Sequence, residues 1–189
     1  MHDSLDAGYF EKKYAGNADP WDFATSSYEA EKYRSTLDAL PKTRFASAFE
    51  IGCSIGVLTA QLASRCDQLL SVDVSDRALS QAKQRCAALA NVRFARMAVP
   101  QEFPAGPFDL VVVSEVAYYW STSDLASAID RIAAIGAGAT VELVHYTPFV
   151  DEYPQTGDAV HAAFLRDPRF KAGYAKRAEH YRIDVLRVV

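Results

Sequence analysis

Long hydrophobic runs are missing from this chain. Its most apolar stretches, such as Phe108 to Val113 and Val141 to Val144, are strand-sized and far too short to span a bilayer. Charge of one sign is scarce as well: 23% of the residues are charged and the net charge is −4, which gives no pull toward nucleic acid or an anionic membrane. Cysteine is sparse and odd in number. Cys53, Cys66 and Cys86 show no CxxC or Cys/His ligand spacing, so neither a disulfide framework nor a structural metal site is expected. Repeats, low-complexity tracts and linkers are absent. The opening MHDSLDAGYFEKKY lacks a basic segment followed by an apolar stretch and does not read as a secretory signal, which makes the cytoplasm the simplest location.

What the chain does have is core-forming material: 189 residues, half of them hydrophobic, suit one domain. Tyr28, Tyr33, Leu37 and Leu40 recur at helical spacing over Ser27 to Leu40, and Pro41 closes that helix. Strands are expected at Ala46–Ile51, Gln68–Val74, Val92–Met97, Phe108–Ser114 and Thr140–Tyr146, with helices at Gly56–Cys66, Asp76–Leu89 and Ser123–Ile135 between them. Ser75 or Asp76 suits a helix N-cap. The unbroken, β-branched fourth strand reads as central and covered on both faces. This alternation predicts an α/β, doubly wound, Rossmann-like sheet with right-handed crossovers. Thr156 to Leu165 then reads as a helix, and Ala172–Glu179 with Tyr181–Val188 as a closing antiparallel pair. The single domain thus divides into an N-terminal helical or lid segment (1–41), a ligand-binding core (46–146) and closing elements (147–189).

The richest local signal is Phe49 to Thr59, FEIGCSIGVLT, where an acid closes an apolar strand and two glycines bracket a turn into a helix. Gly52 and Gly56 let backbone approach a ligand closely, at the carboxyl edge of the sheet where open α/β folds bind nucleotides. Asp73, about twenty residues beyond the first glycine, can accept hydrogen bonds from ribose hydroxyls at the end of the second strand. Nicotinamide dinucleotides and S-adenosylmethionine both suit such a turn, but a pyrophosphate favours a bare glycine-lined helix N-terminus. A sulfonium and an α-amino group favour carboxylates, and Glu50 supplies one. Cys53, within the loop, is expected to be a small packing residue, since no nearby base would activate a thiol.

Taken together, FEIGCSIG, SVDVS and FDLVVVSEV resemble the cofactor loop, the ribose-binding strand end and the fourth strand of class I S-adenosylmethionine-dependent methyltransferases. The resemblance covers roughly Phe49 to Tyr146. It implies a mostly parallel seven-stranded sheet with an antiparallel closing strand, S-adenosyl-L-methionine as methyl donor, and cofactor contacts at Glu50, Gly52, Cys53, Ser54, Gly56, Asp73 and Val74. Two positions depart from the family pattern. Ser54 stands where a middle glycine is usual, and Met97 and Ala98 stand where an acid often meets the adenine amine, leaving that contact to backbone and apolar surface. The N-terminal NADPWDFATSSYEAEKYRSTLDAL is similar to the rhizobial nodulation protein S family, through Asp19, Pro20, Trp21, Tyr28, Glu29 and Lys32. That likeness implies N-methylation of an amino sugar on a chitooligosaccharide-like glycan. Trp21, a large aromatic in this segment, is expected either to close over the donor or to pack within the N-terminal segment.

Methyl transfer is an in-line displacement in which positioning supplies much of the acceleration, so no covalent nucleophile is required. An amine acceptor must be unprotonated, which gives a use to a carboxylate or histidine near the site. Glu115, directly after the fourth strand, Tyr118 in the following aromatic group with Tyr119 and Trp120, and His145 near the end of the fifth strand are the catalytic candidates. No metal ligands stand out. Arg166, Arg169, Lys171, Lys176, Arg177, Arg182 and Arg187 near the end read as a solvated face. Competing readings are an O-methyltransferase of a small metabolite, an NAD-dependent oxidoreductase, and a noncatalytic nucleoside-binding module. The acceptor, the oligomeric state and membership of a larger complex are not legible in the residues.

Overall fold

The structure is a computed structural model that describes residues 3–189. Among these, the chain order begins with helix α1 (Ala7–Gly16) and helix α2 (Ser27–Ala39), followed by strand β1 (Phe45–Ile51) and helix α3 (Val57–Leu62). Strand β2 (Cys66–Asp73), helix α4 (Asp76–Arg85), strand β3 (Val92–Arg96), strand β4 (Leu110–Ser114), helix α5 (Thr122–Ala133) and strand β5 (Thr140–Tyr146) complete the alternating core. Helix α6 (Gly157–Arg166) and strands β6 (Phe170–Arg177) and β7 (Tyr181–Val188) close it.

One seven-stranded sheet forms, in the order β3-β2-β1-β4-β5-β7-β6. Strands β1 to β5 pair in parallel, while β7 is antiparallel to both its neighbours, β5 and β6. The expected α/β, doubly wound architecture with an antiparallel closing strand is therefore what the chain adopts. Strand β4 lies at its centre and all five of its residues are buried, as a strand covered by helices on both faces must be. Crossovers change direction at the β1/β4 pair, so the crevice of a doubly wound sheet opens beyond the carboxyl ends of these strands.

Several boundaries differ from the sequence reading. The helix after β1 stops at Leu62, a 3-10 turn spans Ala63–Arg65, and Cys66 begins β2. Leu58 and Leu62 of α3 and Ala63 of this turn share one buried cluster with β1 and β2 residues, which carries the apolar pattern past the true helix end. Helix α4 likewise stops at Arg85. Helix α1 was not foreseen because only Tyr14 of its ten residues is buried, so no apolar stripe marks it. Asp6 caps it by accepting the Tyr9 N–H at 2.9 Å.

Candidate active site

Hydrogen bonding at the carboxyl edge begins with the loop after β1. Gly52 has φ +82° and a Cβ there would stand 2.8 Å from Val116 Cβ; Gly56 has φ +78° and a Cβ would meet Ala82 Cα at 2.9 Å. Both positions therefore demand glycine on conformational and steric grounds. Ser54 also has positive φ, 50°, which explains why a glycine would be at home there. It is held by two bonds: its N–H donates to Asp73 Oδ2 at 2.9 Å, and its hydroxyl meets the Tyr14 hydroxyl at 2.6 Å. Asp73 Oδ1 accepts the Ser75 N–H at 2.9 Å, so one carboxylate ties the loop to the start of α4. Burial raises the Asp73 pKa, against the pull of these amides.

Above this loop lies a cavity of about 310 Å³. Trp21, Gly52, Ser54, Asp73, Val74, Met97, Ala98 and Glu115 all line it, together with Leu5, Phe10, Tyr14, Val116 and Tyr119. Its acidic groups are Asp6, Asp73, Glu115 and Asp124, and no Lys or Arg is among the described residues that line it. A small adjoining recess is bounded by Glu50, Gly52, Cys53, Ser54, Ser114 and Glu115. Glu50 is buried and its Oε2 accepts the hydroxyls of Thr59 and Ser71, each at 2.6 Å. Burial pushes its pKa up to about 7 although these two hydroxyls pull it down. Burial also drives the Cys53 thiol well above its ordinary value, so it is inert as a nucleophile at neutral pH.

Glu115 sits in a left-handed conformation, φ 54°, where β4 ends. Its Oε1 accepts Lys32 Nζ at 2.6 Å, and its Oε2 accepts the Tyr118 hydroxyl at 2.5 Å and the Tyr146 N–H at 3.0 Å. Lys32 also donates to Glu29 Oε1 at 2.9 Å. This lysine is only 2% exposed. Burial alone would lower its pKa, but Glu115 and Glu29 outweigh that and raise it, so the ammonium stays charged. Tyr118 is buried and lines neither cavity; burial and Glu115 drive its hydroxyl pKa far up.

His145 is fully buried and lies outside both cavities. Its Nε2 accepts the Ala117 N–H at 3.3 Å and its Nδ1 faces His161 Nε2 at 3.1 Å. His161 Nδ1 in turn faces Asp184 Oδ2 at 2.6 Å, which also accepts Arg182 Nε at 2.8 Å. With Nε2 an acceptor, His145 donates through Nδ1, and the same tautomer of His161 donates to Asp184. Burial, reinforced by His161 and Lys32, holds the His145 pKa well below its ordinary value. The expected proton acceptor is thus a neutral strut beneath the turn that carries Tyr118. Gly56 likewise shapes the loop without reaching a cavity.

Sequence reasoning assigned no site role to Phe10, Tyr14, Asp6 or Asp124, all of which line the cavity. The first three belong to α1 and its cap, and Asp124 to the first turn of α5. Only the acidic first turn of α5 offered a signal.

A family model described as nodulation protein S matches residues 7–144. The chain belongs to the nodulation protein S family. A nodulation protein S of Bradyrhizobium diazoefficiens is 33% identical over 118 residues, 62% of this chain and 54% of that protein. The chain spans about half the length of the rhizobial relatives it matches. In fold it is similar to the N-methyltransferase nodulation protein S of Bradyrhizobium japonicum in complex with S-adenosyl-L-homocysteine, with TM-score 0.85 and 23% identity over 97% of this chain and 99% of the other. A candidate methyltransferase from Pseudomonas syringae is 34% identical, with TM-score 0.74 over 86% of this chain and 99% of that one.

Proposed function

We propose that this nodulation protein S family member transfers a methyl group from S-adenosyl-L-methionine to the amine of a deacetylated amino sugar or similar glycan-like acceptor. The observation that carries the reading is the cavity's charge: four carboxylates line it and no Lys or Arg does among the described residues. Such a wall suits a ligand bearing a sulfonium and an ammonium, and it repels the pyrophosphate of a dinucleotide. Asp73 keeps lone pairs for ribose hydroxyls after taking two backbone amides. Met97, Ala98 and Val99 offer apolar surface for adenine, and Val74 and Trp21 flank it. Glu50, with its carboxylate under the recess, orients the loop and favours a cationic ligand end.

When bound, the donor supplies an electrophilic methyl group on a positively charged sulfur. The protein's own part is to hold the acceptor nitrogen in line, exclude water and take up a proton. Glu115 is the group that reaches the cavity for this purpose, and Tyr118 fixes its carboxylate. The segment before residue 41 acts as the lid, since Leu5, Phe10, Tyr14 and Trp21 form one wall. Among the described residues no helix is long and apolar enough to cross a membrane, and a small or oligosaccharide acceptor met in the cytoplasm fits this reading.

Calorimetry with S-adenosylmethionine, S-adenosylhomocysteine and NAD, followed by labelled-methyl transfer to deacetylated chitooligosaccharide, simple amines and hydroxyl compounds, tests the proposal. Micromolar binding of the first two and transfer to the amino sugar are expected. Binding of NAD alone overturns the donor, and labelling of hydroxyl compounds alone overturns N-methylation.

A further inference from the structure

Two buried polar atoms beside Glu115 lack a hydrogen-bond partner: Glu29 Oε2 and the Tyr28 hydroxyl. An unsatisfied buried carboxylate oxygen is costly to maintain and asks for an explanation. Glu29 is linked to the cavity in two steps. Its Oε1 accepts an N–H of Lys32 Nζ at 2.9 Å, and the same ammonium donates to Glu115 Oε1 at 2.6 Å. Three charged groups therefore stand in a row with one net negative charge, and only the Glu115 end lines the cavity.

The two carboxylates are unequal. Glu115 accepts three hydrogen bonds, from Lys32, Tyr118 and the Tyr146 amide, which occupy both of its oxygens. Glu29 accepts a single ammonium N–H, and its Oε2 has no hydrogen-bond partner, the Tyr33 hydroxyl being its neighbour. We propose, resting on the N-methylation reading above, that Glu29 is the terminal proton acceptor of an acceptor-amine relay running from Glu115 through Lys32.

The bookkeeping of charge is complete. An ammonium acceptor gives a proton to Glu115; Lys32 passes one of its own to Glu29 Oε1 and takes the proton from Glu115. Lys32 is again an ammonium, Glu115 again a carboxylate, and Glu29 a neutral acid. Methyl transfer then forms the N–C bond as the C–S bond breaks, the C–S electron pair passing to sulfur. The product is a methylammonium, and after its release the Glu29 proton returns through Lys32 and Glu115 to the cavity and so to solvent.

The groups facing Glu29 are Lys32 and Tyr33 from its own helix and Glu115 from beyond β4. Burial is the largest influence and raises the Glu29 pKa, Lys32 and Tyr33 lower it, and Glu115 raises it again. Tyr28 of α2, Tyr118 and Tyr146 complete the surroundings of the row. Glu29 acts through Lys32 and Glu115, so it is a positioning and proton-storing residue rather than a catalytic one.

The test is the pH profile of kcat for methyl transfer to a deacetylated chitooligosaccharide, in wild type, Glu29→Gln and Glu29→Asp, with S-adenosylhomocysteine affinity measured beside it. The Gln variant is expected to lose roughly 100-fold at neutral pH, to recover at alkaline pH where the amine deprotonates itself, and to keep S-adenosylhomocysteine affinity within about twofold. The Asp variant is expected to restore the wild-type limb in part. A Gln variant with a wild-type profile, or one that loses activity equally at every pH, overturns the relay alone. A wild type that transfers to no amine overturns the N-methylation reading and the relay with it. Carboxyl-labelled glutamate NMR on the unmodified protein stands beside the variants: a Glu29 resonance that titrates with exposed glutamates also overturns the proposal.

Discussion

The two sides of the cavity that the proposal gives to donor and acceptor are built on opposite plans. On the donor side, backbone does the work: Gly52, Ser54 and Gly56 adopt positive φ within five residues, and Asp73 joins them through two amides. Across the cavity, long side chains do it: Lys32, 83 residues from Glu115 in sequence, binds two carboxylates in a nearly dry setting. The first plan fixes a rigid shape in the backbone. The second gathers charge away from water, and its stability depends on every partner being present.

Removing the cation is the harshest way to break the acceptor side. Lys32→Met leaves Glu115 and Glu29 without their ammonium and is expected to cost about 3–5 kcal/mol, read as a fall in the denaturant midpoint. Lys32→Met with Glu29→Gln should recover part of that loss. Next in size, Gly52→Ala places a Cβ 2.8 Å from Val116 at a φ of +82°, and is expected to cost roughly 1–3 kcal/mol in stability together with most of the S-adenosylhomocysteine affinity. If affinity survives, the donor loop is softer than its geometry implies.

Asp73→Asn keeps the shape but weakens the ribose acceptor and the two amide bonds, so donor affinity should fall about 10- to 100-fold by calorimetry, equivalent to 1.4–2.8 kcal/mol. An unchanged affinity would confine Asp73 to capping. The smallest effects separate the two sides by pH. Glu50 has its folded pKa raised from 4.5 to about 7, so its contribution is full below 4.5 and is lost as pH rises through 7. Glu50→Gln should flatten that alkaline loss in thermal melts. His145 has its folded pKa depressed below 6.5, so its contribution is full above 6.5 and is lost as pH falls toward the folded value. His145→Asn should flatten the acid limb instead, and a variant that alters the opposite limb breaks the division.

Much of the donor side was legible because its parts lie close together in sequence and each has a backbone reason. Gly52 and Gly56 mark positive φ, Asp73 marks a strand end, and β-branched Val111 to Val113 mark the central strand. The acceptor side was legible only in fragments. Glu115 stood out as an acid after an apolar strand, but nothing local announces that Lys32 reaches it. His145 is a polar residue in a buried strand, and its partner His161 comes from α6, with Asp184 of β7 bound beyond it. Helix α1 was silent because it buries little of itself, although Phe10 and Tyr14 wall the cavity.

Periodicity, β-branching and turn chemistry are local, so the sequence alone determined the alternating elements, the doubly wound sheet and the glycine loop at its carboxyl edge. The tertiary structure alone decided which charges meet. Pairing of Lys32 with Glu29 and Glu115, and the burial of His145 against His161, depend on the order in which strands join and on which helix covers them. Those choices fix the dielectric surroundings and the partners of each ionisable group, and they set its protonation far more than the residue's own identity does.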